Sequence, residues 1–245
     1  MLELPLREGK LSAAELRTYL EGLYGDENHE HMVFPGMVYL SWPTELGTLY
    51  TRAELGEIHQ VCRQYKIPLY LDGARMGYGL ASRGSGMTLA DLAASCDVFY
   101  IGGTKVGALF GEAVVFPRHN APGRFMTAVK QRGALLAKGW LLGVQFEELF
   151  RDGLYFDMAS HANEMAARLQ DGLRALGIPL YVESSTNQIF PVVSGALRER
   201  LRGLVQFEDW CPGEGADEHV IRFVASFATS EQEVQGFLRD LVGLL

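Results

Sequence analysis

Between Arg52 and Tyr65, the apolar residues Leu55, Ile58, Cys62 and Tyr65 recur three or four positions apart, the spacing of one helix face. Residues 12–23 read the same way, with Ser12 as N-cap and Glu15 closing a capping box. Residues 33–41 alternate and contain Val38, Tyr39 and Leu40, which predicts a strand. Short apolar runs at 69–71, 98–101 and 113–116 predict three more strands, with a short helix near 89–94. The acidic stretch 25–31 reads as a solvated loop, and 42–48 as a turn-rich loop at the exit of the first strand. Strands alternating with helices predict an α/β fold around a parallel-type sheet covered on both faces.

Further on the character changes. Residues 122–150 predict one long helix, or two joined near 133–139, and 154–176 another helix ending at Gly177. Short strands are then expected at 179–182, 188–193, 204–208 and 219–225, with helices at 196–202 and 231–245. Two domains are expected: 1–150 around the parallel-type sheet and 151–245 as a smaller α+β domain. There are no internal repeats.

Composition mainly excludes. A net charge of −8 and a pI near 5.3 argue against nucleic acid or an anionic membrane as partner. Cys62, Cys96 and Cys211 are odd in number and far apart, so neither a disulfide framework nor a zinc site is suggested. No apolar stretch has signal-peptide or membrane-spanning length, and the default expectation is cytoplasmic. His29 and His31 lie in the acidic loop without a third ligand and read as surface; no metal is expected.

Two charges stand out against the apolar runs. Pro68-Leu69-Tyr70-Leu71 ends in Asp72, and Val98-Phe99-Tyr100-Ile101 leads through Gly102-Gly103-Thr104 to Lys105. A charge at a strand end is costly without a partner or a task. Ligands of open parallel sheets bind outside the carboxyl ends of the strands, where Asp72, Lys105 and the 43–48 loop should converge, with Arg75 turning back over the crevice. Pyridoxal 5′-phosphate uses such a set: a lysine for its aldehyde, a carboxylate for its ring nitrogen, and cationic and hydroxyl donors for its oxygens. Partial burial beside Arg75 would lower the Lys105 pKa and favour the reactive neutral amine. Taken singly, Asp72 is equally readable as a turn former and Lys105 as a surface lysine. The Gly102-Gly103 pair fits neither a dinucleotide loop nor a Walker motif.

Three segments, 41–50 (SWPTELGTLY), 71–78 (LDGARMGY) and 101–108 (IGGTKVGA), resemble the threonine aldolase branch of the β-eliminating lyases, which are fold-type-I pyridoxal-phosphate enzymes. Residues 130–139 (KQRGALLAKG) and 219–224 (HVIRFV) continue the likeness. The resemblance implies a fold-type-I large domain with a small C-terminal α+β domain. It implies Lys105 as the lysine bound to the cofactor, Asp72 at the pyridine nitrogen, Arg75 at the phenolic oxygen and Thr104 on the phosphate side. Thr44 would line the ring, and Arg222 would hold the substrate carboxylate with its planar fork. The implied reaction is retro-aldol cleavage of a β-hydroxy-α-amino acid, threonine or allo-threonine, to glycine and an aldehyde. The implied assembly is a homo-oligomer, dimer or tetramer.

The chain also departs from the family. Members carry roughly a hundred residues before the point matching Met1, a length within domain size, and these supply the phosphate loop and the ring-stacking histidine. Trp140 stands where the family's Lys-Gly-Arg ends, and tryptophan cannot bind phosphate as that arginine does. The expectation is a threonine-aldolase-like lyase, either incomplete as given or reliant on a separate N-terminal fragment. The alternatives are a truncated, inactive remnant and a different pyridoxal-phosphate activity such as β-elimination.

Overall fold

The computed structural model describes residues 2–245. Its first helix, α1 (Ala13–Gly25), starts where the Ser12 hydroxyl accepts the Glu15 N–H and the Glu15 carboxylate accepts the Ser12 N–H, each at 3.1 Å. Strand β1 (Val38–Ser41) follows, then α2 (Arg52–Gln64), opened by the same device at Thr51 and Glu54. Next come β2 (Leu69–Asp72), α3 (Met76–Leu80), α4 (Leu89–Ser95), β3 (Val98–Gly102) and β4 (Glu112–Val115).

The four strands form one sheet in the order β1-β2-β3-β4. β1, β2 and β3 run parallel, with Ser41 paired to Asp72 and Leu71 to Phe99. β4 is antiparallel to β3, so the sheet is mixed, where alternation of elements had predicted parallel strands. The reason is the short link: residues 103–111 contain only a single 3-10 turn, and a parallel return needs a crossover of about a dozen residues or more. β1 is also shorter than the alternating stretch 33–41. Its pairing partner β2 reaches only from Val38 to Ser41, and Val33 and Phe34 lie exposed outside the ladder. The sequence pattern missed α3, whose glycine-rich run lacks a helical period; buried Met76 and Tyr78 hold it in place.

Two short helices, α5 (Phe125–Gln131) and α6 (Trp140–Phe150), precede the long α7 (Leu154–Ala175). Tyr155, Ala159 and Ala162 of α7 belong to the core beneath the first sheet, while Met165, Ala166 and Leu173 belong to a second core. One rigid helix thus serves both. The second core underlies β5 (Gln188–Ile189), β6 (Val192–Ser194), α8 (Gly195–Leu201), β7 (Glu208–Pro212), β8 (Glu218–Val224) and α9 (Glu231–Val242). β5 and β6 keep one register along β8, interrupted at Phe190 and Pro191, and β7 lies on its other side; every pair is antiparallel. β7 begins later than the 204–208 expected, and 179–182 contributes a single bridge, Leu180 to Pro191, rather than a strand.

The ends of β2 and β3 touch through backbone. Gly102 N–H donates to Gly73 O at 2.8 Å. A Cβ on Gly102 would fall 2.3 Å from Ala74 O, and one on Gly73 would fall 1.9 Å from Tyr100 O. No side chain fits between these loops. Gly102→Ala is therefore expected to lower stability by roughly 3 kcal/mol through overpacking. Gly56→Ala, in open space on α2, should instead raise it by about 0.5–1 kcal/mol. Urea unfolding midpoints of the two variants check the contrast.

Candidate active site

Asp72 is the last residue of β2, and its carboxylate lies at the carboxyl end of the sheet. Oδ1 accepts the Ala74 N–H at 2.9 Å and the Tyr100 hydroxyl; Oδ2 accepts the Tyr39 hydroxyl. The Asp72 carbonyl accepts the Trp42 N–H at 2.8 Å, which ties the exit of β1 to the same place.

Lys105 sits in a single 3-10 turn, Thr104–Val106, just past the end of the neighbouring strand β3. Two tyrosines fix this turn from beneath: Tyr78 donates its hydroxyl to Lys105 O, and Tyr155 donates to Gly102 O at 2.8 Å. Burial holds the Tyr78 phenol up at about 12, so it stays a neutral donor. Lys105 is exposed as a residue, and Arg75 is the cation whose charge acts on it. Burial first, and then the Arg75 charge, pull its pKa below the ordinary lysine range, against the opposing pull of Glu45, Asp72 and Glu112. Its charge therefore feels Asp72, Arg75 and Glu45 at once, as expected for groups gathered at one crevice.

Arg75 follows the Asp72 turn and places Nη1 3.3 Å from Glu45 Oε2. The same Glu45 oxygen lies 3.9 Å from Nη1 of Arg222, so one carboxylate of the 42–48 loop links the arginine at the start of α3 to the one in β8. Arg222 is largely buried. Nη1 donates to Gln188 Oε1 at 3.0 Å, Nη2 pairs with Glu208, and the guanidinium carbon stacks 4.8 Å from the Trp210 ring centre. Glu208 is its direct cross-strand neighbour in the β7–β8 register. Nε of Arg222 is buried without a hydrogen-bond partner. A cavity of about 480 Å³ opens beside these residues, lined in part by Glu45, Leu46, Tyr181 and Trp210.

The remaining candidates are placed differently. The Thr44 hydroxyl is buried and occupied within its own loop, 2.7 Å from the Thr48 hydroxyl and accepting the N–H groups of Leu46 and Thr48. Its visible work is to shape the loop that presents Glu45. Thr104 is exposed and donates to Glu112 Oε1 at 3.3 Å, while Glu112 Oε2 accepts the Gly103 N–H at 2.8 Å. Trp140 is 62% exposed at the start of α6. His29 and His31 lie in a short surface 3-10 turn, and no cluster suited to a metal occurs among the described residues. Tyr39, Tyr100, Glu45, Glu112 and Glu208 escaped the sequence reading. Only strand register and loop closure bring them to the site.

The donor set fits the ring and aldehyde of pyridoxal phosphate: an amine of lowered pKa, a carboxylate at the end of the adjacent strand, and an arginine whose charge acts on that amine. On the phosphate side, Thr104 would have to exchange Glu112 for the ligand.

Comparison with known proteins shows the family. The profile of the beta-eliminating lyase family matches residues 2–197. The chain is 30% identical over 234 residues to a low specificity L-threonine aldolase of Pseudomonas aeruginosa, covering 95% of this chain and 65% of that protein. It is likewise 30% identical to one from a Pseudomonas species, covering 86% of this chain and 60% of that protein. The chain thus spans less than two thirds of the length of the curated relatives it matches. Among solved structures, the Leishmania major threonine aldolase superposes with a TM-score of 0.90 at 40% identity, over 98% of this chain and 69% of that one. An Exiguobacterium protein described as a putative aromatic amino acid beta-eliminating lyase/threonine aldolase shares the fold, at a TM-score of 0.73 and 17% identity. On the extent of the profile match, together with the mixed sheet and the lysine and aspartate at its strand ends, the chain belongs to the beta-eliminating lyase family.

Proposed function

We propose that this chain serves as a pyridoxal-phosphate lyase that cleaves a β-hydroxy-α-amino acid, threonine or allo-threonine, to glycine and an aldehyde. What supports the reading is that Asp72 ends β2 and Lys105 follows the adjacent parallel strand β3, with the amine's pKa lowered by burial and by Arg75. When bound, the cofactor supplies an aldehyde and an electron-withdrawing protonated ring.

The chain's own residues have distinct tasks in this reading. Lys105 offers its amine as nucleophile, with its pKa lowered by burial and by the Arg75 charge. Asp72 accepts a hydrogen bond from the ring nitrogen and keeps its proton there. Arg75 donates to the phenolic oxygen and also helps hold Lys105 neutral. Thr104 serves the phosphate side, and Thr44 supports the loop along the ring. Arg222 takes the substrate carboxylate on its fork. Glu208 and Glu45 now neutralise that guanidinium, so an incoming carboxylate exchanges with one of them. Exposed apolar residues on α6, Trp140, Leu141 and Val144, support self-association as part of the proposal.

Incubation with pyridoxal phosphate, borohydride reduction and peptide mapping should label Lys105, with the label lost in Lys105→Ala. Label spread over Lys10, Lys66, Lys130 and Lys138, unchanged in that variant, would refute the assignment. With threonine, glycine and acetaldehyde are the expected products; 2-oxobutyrate and ammonia would identify an elimination instead, and no turnover an inactive chain. Arg222→Gln should raise KM by roughly tenfold to a hundredfold, the size of one lost charge-assisted interaction, with a smaller change in kcat. A neighbouring cation disfavours the ammonium form, so Arg75→Gln should move the midpoint of Lys105 labelling by an amine reagent to higher pH.

A further inference from the structure

Asp72 is gripped from both flanking strands. Register explains how. Ser41 of β1 pairs with Asp72, which puts Tyr39 two residues back on the same face, and the Leu71–Phe99 pair puts Tyr100 of β3 level with Asp72. Tyr70 occupies that face between them. Its ring stacks on that of Tyr39, 5.3 Å away and nearly parallel at 7°, and lies 6.3 Å from Tyr100. A row of three tyrosines across three strands thus carries two hydroxyls to one carboxylate.

Counting acceptors gives the consequence. An ionised carboxylate offers about four lone-pair sites. Oδ1 accepts both the Tyr100 hydroxyl and the Ala74 N–H, and Oδ2 accepts the Tyr39 hydroxyl. Three sites are filled and the fourth, on Oδ2, is left for one more donor. We propose that Tyr39 and Tyr100 are positioning residues that fix the rotation of the Asp72 carboxylate and reserve this single Oδ2 site for the ring nitrogen of a pyridine cofactor. The proposal rests on the reading of Asp72 as the partner of that nitrogen. Both phenols are suited to the task. Burial, followed by the hydrogen bond to Asp72 and its charge, raises each pKa well above the ordinary tyrosine value, so both remain donors throughout the working range.

Tyr→Phe keeps the ring and its stacking while deleting the hydroxyl, so Tyr39→Phe, Tyr100→Phe and the double variant leave the fold intact. Two readouts separate the clamp from its use. The first is spectrophotometric titration of phenolate formation in the cofactor-free chain. Asp72→Asn should bring two late-titrating phenols to lower pH, and each Phe variant should remove one of them; unchanged titration in Asp72→Asn overturns the clamp. The second is the dissociation constant of pyridoxal phosphate beside that of its analogue with CH in place of the ring nitrogen. The double variant should bind pyridoxal phosphate roughly tenfold more weakly, the size of one charge-assisted hydrogen bond, and the analogue unchanged. Equal loss for both ligands would reveal a merely structural role and overturn the proposal, as would no loss for either. If the wild-type chain takes up no pyridoxal phosphate, the reading of Asp72 fails and the proposal with it, whatever the titration shows.

Discussion

The backbone contact between the ends of β2 and β3 is the constraint on which the site depends. Gly73 and Gly102 bring two chain segments closer than any side chain permits, and the Gly102 N–H closes on Gly73 O at 2.8 Å. Asp72 immediately precedes that contact on one strand, and Lys105 leaves it by a single 3-10 turn on the other. Because both loops are rigidly apposed, the carboxylate and the amine share one electrostatic environment without forming an ion pair. Tyr155 and Tyr78, bonded to Gly102 O and Lys105 O, brace the same turn from the core. The loop that carries the reactive amine is thereby anchored to α7 and α3 rather than left to solvent.

Charge balance follows from this geometry. The Arg75 charge acts on Lys105, and Arg75 shares the Glu45 carboxylate with Arg222. Glu45 relieves the two arginines, and Glu208 takes the outer side of Arg222. The amine is spared such a partner and its neutral form is favoured. A site that binds an anionic cofactor and an amino acid benefits from guanidinium groups whose present carboxylate partners can be exchanged for those of the ligand.

The legible and illegible parts of the sequence divide along a physical line. Capping boxes at Ser12–Glu15 and Thr51–Glu54 involve neighbours in the chain, and local pattern located those helix starts. Asp72 and Lys105 were legible because a charge ending an apolar run conflicts with its surroundings. What depends on register between distant segments was not. Tyr39 and Tyr100 look like ordinary strand residues until the pairing of three strands puts their hydroxyls on Asp72. Glu208 meets Arg222 only because β7 pairs with β8 at that register. The direction of β4 and the short extent of β1 likewise turn on connection length and on which strand lies alongside, neither of which alternation encodes.

The measurement that bears most directly on the account is a crystal structure of the chain grown with pyridoxal phosphate. Continuous density from Lys105 Nζ to the aldehyde carbon, with the ring nitrogen within hydrogen-bonding distance of Asp72 Oδ2, is the predicted result. Density joined to another lysine, or a ring nitrogen turned away from Asp72, would contradict it.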